Sequence, residues 1–330
     1  MTTTLPSGPR AGTDSRARLG LLQVSLAGVL WGTGGLAVQL VREHAPLSPL
    51  TVSAYRTGIA SLVLVVAVLV LRRAAAVRAL LRDRPGRAVL VGLLTATYQA
   101  LYFVSVVAVG VTVATVVSLG LAPVLLALRD VATGSWHARQ APPVVAALAG
   151  LVLVSVSGHG ASGGGDHPVA GLLAAVAAGA TYAVATALGE PLARRADPLA
   201  LTAVSTVAGT ALLVPVAFLG GGPYGTTDPV AWGWLLYLGV LTFALAYGLL
   251  YAGLRTTSSS AAVVATLLEP VTAAVVAWLV LSERLGAVGW VGTVLVVGAI
   301  AVLPAPPDPD APATTPASAQ PDPPDDAARS

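Results

Sequence analysis

The 330 residues contain no cysteine, no lysine and no asparagine. Without cysteine there is no disulfide framework, no thiolate metal site and no cysteine nucleophile. Without lysine there is no Walker phosphate-binding lysine, and no other nucleotide motif is present. Without asparagine there is no N-glycosylation acceptor. Charge is scarce too. Charged residues make up 10% of the chain, hydrophobic ones 55%, and the mean hydropathy is +0.81. Soluble domains carry about 25% charged residues, so most of this chain must face lipid or other apolar helices. All eighteen basic residues are arginine, and the net charge is +3. A basic balance can signal nucleic-acid binding. These arginines flank hydrophobic stretches instead, so a nucleic-acid partner is not expected. The lysine-free, Ala/Val/Arg-rich usage points to a GC-rich bacterial source.

A helix of about 20 apolar residues crosses the roughly 30 Å hydrocarbon core. Ten stretches qualify: 19–41, 50–71, 88–109, 112–128, 142–158, 168–189, 198–219, 230–253, 261–281 and 286–303. Ser48-Pro49, Asp197-Pro198 and Asp228-Pro229 each place a capping side chain before a proline, the chemistry of a helix start. The joins at 109/112 and 281/286 are so tight that their helices must be antiparallel neighbours. The first span is too long for a signal-peptide core and lacks a clean cleavage site, so it is expected to be retained.

With the N-terminus in the cytoplasm, fourteen arginines fall inside: Arg10, Arg16 and Arg18; Arg72, Arg73, Arg78, Arg82, Arg84 and Arg87; Arg129 and Arg139; Arg194 and Arg195; and Arg255. Only Arg42 and Arg284 fall in outside loops. This asymmetry is the positive-inside pattern. It predicts a multi-pass protein of the bacterial inner membrane with both termini cytoplasmic. Residues 1–18 and 304–330 read as disordered cytoplasmic tails, and 159–167 as a flexible extracytoplasmic loop.

The chain also repeats itself. Shifting it by 147 residues lays 92–128 over 239–275 without a gap. Gly92/Gly239, Thr95/Thr242 and Pro123/Pro270 then coincide among many cheaper Ala, Val and Leu matches. The shift maps span 3 onto span 8 and span 4 onto span 9, so each copy holds five spans. Five is odd, so the second copy enters the membrane the other way up. Inverted repeats mark secondary transporters, with substrate sites near mid-membrane at the repeat interface. Two apolar helices can look alike without common origin, but the equal span number of the halves supports a repeat.

The stretch 267–303, LLEPVTAAVVAWLVLSERLGAVGWVGTVLVVGAIAVL, resembles the ninth and tenth helices of the EamA-like branch of the drug/metabolite transporter superfamily. Leu30-Trp31-Gly32 and Tyr55-Arg56 resemble that family's Trp-Gly and aromatic-Arg pairs in its first two helices. The resemblance covers residues 19–303. It implies an all-α polytopic membrane protein with ten transmembrane helices. These would form two inverted five-helix repeats, 19–158 and 168–303, around a central cavity, and would export metabolites or drugs. The first copy departs from the pattern: Ala122 stands where Glu269 predicts an acid, and Trp136 where Glu283 does. Acid chemistry within the membrane therefore rests on the second half.

Glu269 is the leading candidate for function. A carboxylate at mid-bilayer costs about 2.5–3.5 kcal/mol on insertion scales. It could couple substrate to proton movement, in antiport for example, or be a structural acid that locks its helix. Pro270 removes a backbone bond and kinks the helix, which bends it or frees carbonyls to line a cavity. Arg56, about 10 Å deep at 1.5 Å per residue, could hold a substrate carboxylate, pair with Glu269, or snorkel to the headgroups. Tyr98 and Tyr102 on span 3, and Tyr247 and Tyr251 on span 8, form i,i+4 pairs that line a cavity or sit at an interface. Gln99 is deep and polar, facing either a cavity or another helix, and Tyr182 is a weaker case. Trp31 could face the cavity. Gly28-x-x-x-Gly32 permits close helix packing, within or between protomers.

Gly160-Ala161-Ser162-Gly163-Gly164 fits a G-x-S-x-G nucleophile pattern, but that motif needs a strand-turn-helix elbow, and here it lies in a glycine-rich loop. His159, Asp166 and His167 read as a solvated loop, so neither a metal nor a cofactor is expected. The reading is a secondary active transporter that exports a small, amino-acid-like metabolite or a drug by alternating access. Its partners would be a small-molecule substrate, membrane lipid and, where transport is coupled, protons. A passive facilitator of the same fold is the alternative. An intramembrane lipid-modifying enzyme is the remoter one, because the cytoplasmic loops hold no catalytic constellation.

Overall fold

The computed structural model describes residues 11–157, 168–219, 221–280 and 286–302. The 159–167 loop, the turn holding Glu283 and Arg284, and the tail after 304 lie outside the described residues. Among those described, every regular element is helical. In chain order they are α1 (Ala11–His44), α2 (Pro49–Val70), α3 (Ala74–Asp83), α4 (Pro85–Ala132), α5 (Ala141–Ser157), α6 (Pro168–Ala193), α7 (Pro198–Leu219), α8 (Pro229–Gly239), α9 (Ala246–Gly253), α10 (Ser259–Ala265), α11 (Leu268–Val280) and α12 (Ala287–Ala301). A short 3₁₀ turn, Ala138–Gln140, precedes α5, and a π turn, Val240–Leu245, joins α8 to α9.

Eight helical stretches are long and apolar enough to cross a membrane: Ser15–His44, Pro49–Val70, Pro85–Val106, Val113–Ala132, Pro168–Ala193, Pro198–Leu219, Pro229–Gly253 and Ser259–Val280. Two more apolar stretches, Ala138–Val154 and Ala287–Ala301, are shorter and match the fifth and tenth expected spans. Their outer faces are what lipid requires. Leu62, Leu173, Leu279 and Val294 are between 64% and 67% exposed.

The three capping sites behave as their sequence suggests. Ser48 Oγ accepts the Thr51 N–H at 3.1 Å, Asp197 Oδ1 accepts the Ala200 N–H at 3.1 Å, and Asp228 Oδ1 accepts the N–H groups of Val230 and Ala231 at 2.8 and 2.9 Å. Two features differ from expectation. Helix α1 starts at Ala11, so residues 11–18 are helical rather than a disordered tail; the Arg16 carbonyl is anchored by the Thr256 hydroxyl at 3.0 Å. The arginine-rich stretch after α2 contains a helix of its own, α3, which buries Leu80 and exposes Arg78 and Arg82.

Helix α4 is wound as one helical run, yet it doubles back. Tyr102 OH hydrogen-bonds Thr115 Oγ1 at 2.8 Å. Thirteen residues of straight helix would separate them by about 19.5 Å. Helix α6 gives the same answer: Gly171 lies against Ala108 and Val109, Gly179 against Ser118 and Leu121, and Gly189 against Val91. A single helix can pass those three points in that order only along a hairpin. Spans 3 and 4 are therefore antiparallel limbs, and the helical winding is kept close to the reversal.

One end of the bundle collects the arginine-rich segments. The Thr256–Arg16 contact, the Arg73–Asp197 ion pair at 3.2 Å and the Arg129–Ser259 hydrogen bond at 3.2 Å all lie there. At the other end a separate apolar cluster ties the α1–α2 turn, with Ala45, Leu47 and Val52, to Ala231 and Leu235 of α8.

Positions 147 apart do matching work. A Cβ on Gly92 of α4 would strike the Ser205 carbonyl of α7, and one on Gly239 of α8 would sit 2.6 Å from Ile59 Cβ of α2. Gly32 packs α1 onto α11 at Glu269 and Thr272, and Gly179 packs α6 onto the return limb of α4 at Ser118 and Leu121. Helices α5 and α12 cross at Gly150 and Gly292.

Candidate functional site

The proline expected to kink span 9 breaks it. Helix α10 ends at Ala265 and α11 starts at Leu268. Pro270 has no N–H for the Thr266 carbonyl, and its ring would clash there. The chain answers with tight three-residue bonds, Leu267 N–H to the Val264 carbonyl at 3.1 Å and Glu269 N–H to the Thr266 carbonyl at 2.9 Å. Glu269 thus lies in the first turn of α11, at the positive end of a half-helix. Pro123, its counterpart in α4, interrupts nothing.

Helix α1 is drawn onto this break. A Cβ on Gly28 would come within 3.2 Å of Thr266 Cα, and one on Gly32 would strike the Glu269 carbonyl and lie 2.5 Å from Thr272 Cβ. The Gly28/Gly32 pair therefore packs helices within the protomer. Between these glycines, Trp31 faces a cavity of about 70 Å³. Its walls are Trp31, Arg56, Tyr98, Gln99, Tyr102, Phe103, Tyr182, Tyr247 and Glu269. These side chains come from α1, α2, α4, α6, α9 and α11, so both halves of the chain contribute. That volume is enough for a handful of waters, at about 10–15 Å³ each on this measure.

Arg56 turns inward rather than snorkelling. Its Nη2 donates to the Thr242 carbonyl at 2.8 Å, and its Cζ lies 5.3 Å from the Phe243 ring centroid. The π turn makes this possible. The Ala246 N–H, which an α-helix would aim at the Thr242 carbonyl, goes instead to those of Leu241 and Phe243. Such turns recur at functional sites. The same turn changes the facing of everything after Gly239. Tyr247 lines the main cavity, while Tyr251 lines a smaller adjoining void with Thr95, Gln99 and Ser205.

The aromatic wall is continuous. Tyr98 stacks on Tyr182 at 5.0 Å and tilts against Tyr102 at 6.1 Å, while Trp31 meets Tyr247 at 5.0 Å. Tyr182 OH is tied to Thr266 Oγ1 at 3.0 Å, directly at the break before α11. Gln99 Oε1 accepts from Ser53 Oγ at 3.3 Å. Arg56 and Glu269 face the same space, but the ion pairs among the described residues join Arg73 to Asp197, Arg129 to Asp130 and Arg194 to Glu190, not these two. The Glu269 carboxyl makes no hydrogen bond within the described protein. Phe103 was missed by sequence reasoning. It sits one turn beyond Gln99, so a cavity-facing Gln99 implied it.

A second polar cluster, also unforeseen, joins helix ends at the arginine-rich end. Arg129 Nη2 and Nε donate to Asp130 Oδ1 at 2.9 and 3.1 Å, and its Nη1 to Ser259 Oγ at 3.2 Å. Ser260 Oγ donates to Asp130 Oδ2. Glu190 accepts the Ser259 N–H at 3.0 Å and the Arg194 guanidinium at 3.1 Å. The ends of α4 and α6 are thereby latched to the start of α10. No three metal-ligating side chains gather anywhere among the described residues.

A family model described as the EamA-like transporter family matches residues 18–156 and again residues 169–304. A Bacillus subtilis (strain 168) protein called Uncharacterized transporter YwfM is 31% identical over 291 residues, which is 87% of this chain and 94% of that protein. Uncharacterized transporter YetK of the same organism is 24% identical over 161 residues, 48% of this chain and 49% of its own. One solved crystal structure matches with a TM-score of 0.72 at 21% identity, over 88% of this chain and 96% of that one, a likeness of fold.

Proposed function

The chain belongs to the EamA-like transporter family, within the drug/metabolite transporter superfamily, and from that premise we propose that it is a secondary transporter of small organic solutes working by alternating access. It is a multi-pass membrane protein. In this reading ten crossings form two inverted five-helix repeats, 19–158 and 168–303, with both termini in the cytoplasm of a bacterial inner membrane. The double family match, the matching work of Gly92 and Gly239, and the arginines gathered at one end support that arrangement. Transport runs outward, exporting a metabolite or drug. The halves rock about the aromatic cavity, and the Asp130 cluster holds the cytoplasmic end shut in this state.

The observation that carries the proposal is Glu269: an acid without an ion pair or hydrogen bond among the described residues, at the start of a broken half-helix, facing a cavity built from both halves. Discontinuous helices that present their ends to a mid-membrane site are a feature of secondary transporters. Glu269 is the group through which transport couples to protons. In proteoliposomes carrying a cognate solute, Glu269→Gln is expected to abolish solute-driven proton flux and keep solute counterflow. Unchanged coupling in that variant would remove Glu269 from this role, and absence of counterflow in the native protein would favour a channel-like facilitator.

A further inference from the structure

Among the described residues, three buried donors around one cavity have no hydrogen-bond acceptor: Trp31 Nε1, Arg56 Nε and Gln99 Nε2. All three side chains line the central cavity. Trp31 is 8% exposed and Gln99 6%. Native interiors rarely leave such donors unpaired. Several of the polar groups around them are already committed, though the Tyr98 hydroxyl is not. Arg56 uses Nη2 on the Thr242 carbonyl, Gln99 uses Oε1 on Ser53, and the hydroxyls of Tyr102 and Tyr182 are bonded to Thr115 and Thr266. Glu269, the acceptor-only member of the wall, lies beyond ion-pair distance of Arg56. The fourth orphan, Thr257 Oγ1, belongs to the turn after α9 and lies outside this wall.

Resting on the transporter reading, we propose that the cavity selects solutes bearing a carboxylate, seated on Trp31 Nε1, Arg56 Nε and Gln99 Nε2, with an apolar body against Tyr98, Tyr182 and Tyr247. An ionised carboxylate offers two oxygens, about four acceptor sites and no donor. It is the complement of three donors that lack acceptors. An ammonium head brings three more donors and leaves all three orphaned. A hydroxyl or carboxamide brings fewer acceptors and adds donors of its own. Charge points the same way: Arg56 is the one cation in the wall. Glu269 supplies the one negative charge there and opposes a second, so removing it must tighten carboxylate binding.

The test uses the purified full-length chain in detergent and four matched probes, phenylacetate, phenylacetamide, phenethyl alcohol and phenethylamine, together with inorganic phosphate, read by calorimetric binding. Phenylacetate is expected to bind best. Trp31→Phe and Gln99→Glu each remove one donor and should weaken it about tenfold or more, the size of one hydrogen bond to a charged group. Glu269→Gln should strengthen it. Circular dichroism and gel filtration verify that each variant is folded. Tighter binding of phenethylamine or phosphate than of phenylacetate overturns the proposal, as does no binding of phenylacetate, or native affinity for it in both donor variants. If amines or neutral solutes show saturable counterflow while carboxylates are inert, this inference fails and the transporter reading stands. If no solute shows counterflow, the transporter reading itself fails.

Discussion

Two polar clusters inside the same bundle are built on opposite terms. At the arginine-rich end, the carboxylate of Asp130 takes bonds from Arg129 and Ser260, and Glu190 takes bonds from Arg194 and the Ser259 backbone. In the central cavity, Glu269 makes no ion pair or hydrogen bond among the described residues, and Trp31, Arg56 and Gln99 each keep a free donor. A satisfied buried network rigidifies what it joins, while an unsatisfied one is costly unless something fills it. The first cluster thus holds helix ends together. The second is left incomplete, as a site awaiting a solute would be.

That contrast can be broken deliberately. The largest effect on stability should come from Gly32→Val. The added side chain would run into the Glu269 carbonyl and Thr272, forcing α1 off α11. Overpacking of this kind costs about 1–3 kcal/mol, and thermal unfolding in detergent should fall accordingly, with loss of transport because Glu269 is displaced. Asp130→Ala comes next. It strands Ser260 and frees the half-exposed Arg129, a loss of about 1 kcal/mol for such hydrogen bonds. It should also loosen the closed end. The chain has no native cysteine, so a single cysteine placed at Tyr251 reports this: maleimide labelling from the arginine-rich side should quicken in the Asp130→Ala background. Equal rates would mean that the cluster is not a closure. The smallest effect belongs to Tyr98→Phe. Tyr98 stacks on Tyr182 but its hydroxyl bonds nothing within the described protein, so stability should change by less than about 0.5 kcal/mol. A larger loss would show that the cavity wall is structural after all.

The candidate site was legible in the sequence for a simple reason: Glu269, Arg56 and Gln99 are polar residues in apolar helices, and burial without purpose is expensive. The Asp130 cluster was not legible. Arg129, Asp130, Glu190 and Ser259 are each ordinary residues near a helix end, and their partners are up to 130 positions away. Nor could the π turn be read, since Val240–Leu245 is an ordinary apolar stretch with no local mark of its changed winding. Hydropathy located the eight stretches long enough to cross and two shorter apolar helices. It could not show that α4 keeps its helical winding into a reversal, or that α3 is helical, because the apolar and arginine faces of that short amphipathic stretch cancel in a hydropathy average.

The most direct measurement is side-specific labelling of a single cysteine placed at Tyr98, in the wall of the cavity, using a membrane-impermeant maleimide on right-side-out and inside-out vesicles. Alternating access predicts labelling from both sides, with each rate changed when a transported solute is present. Labelling from neither side, or from one side only whatever solute is added, would contradict it.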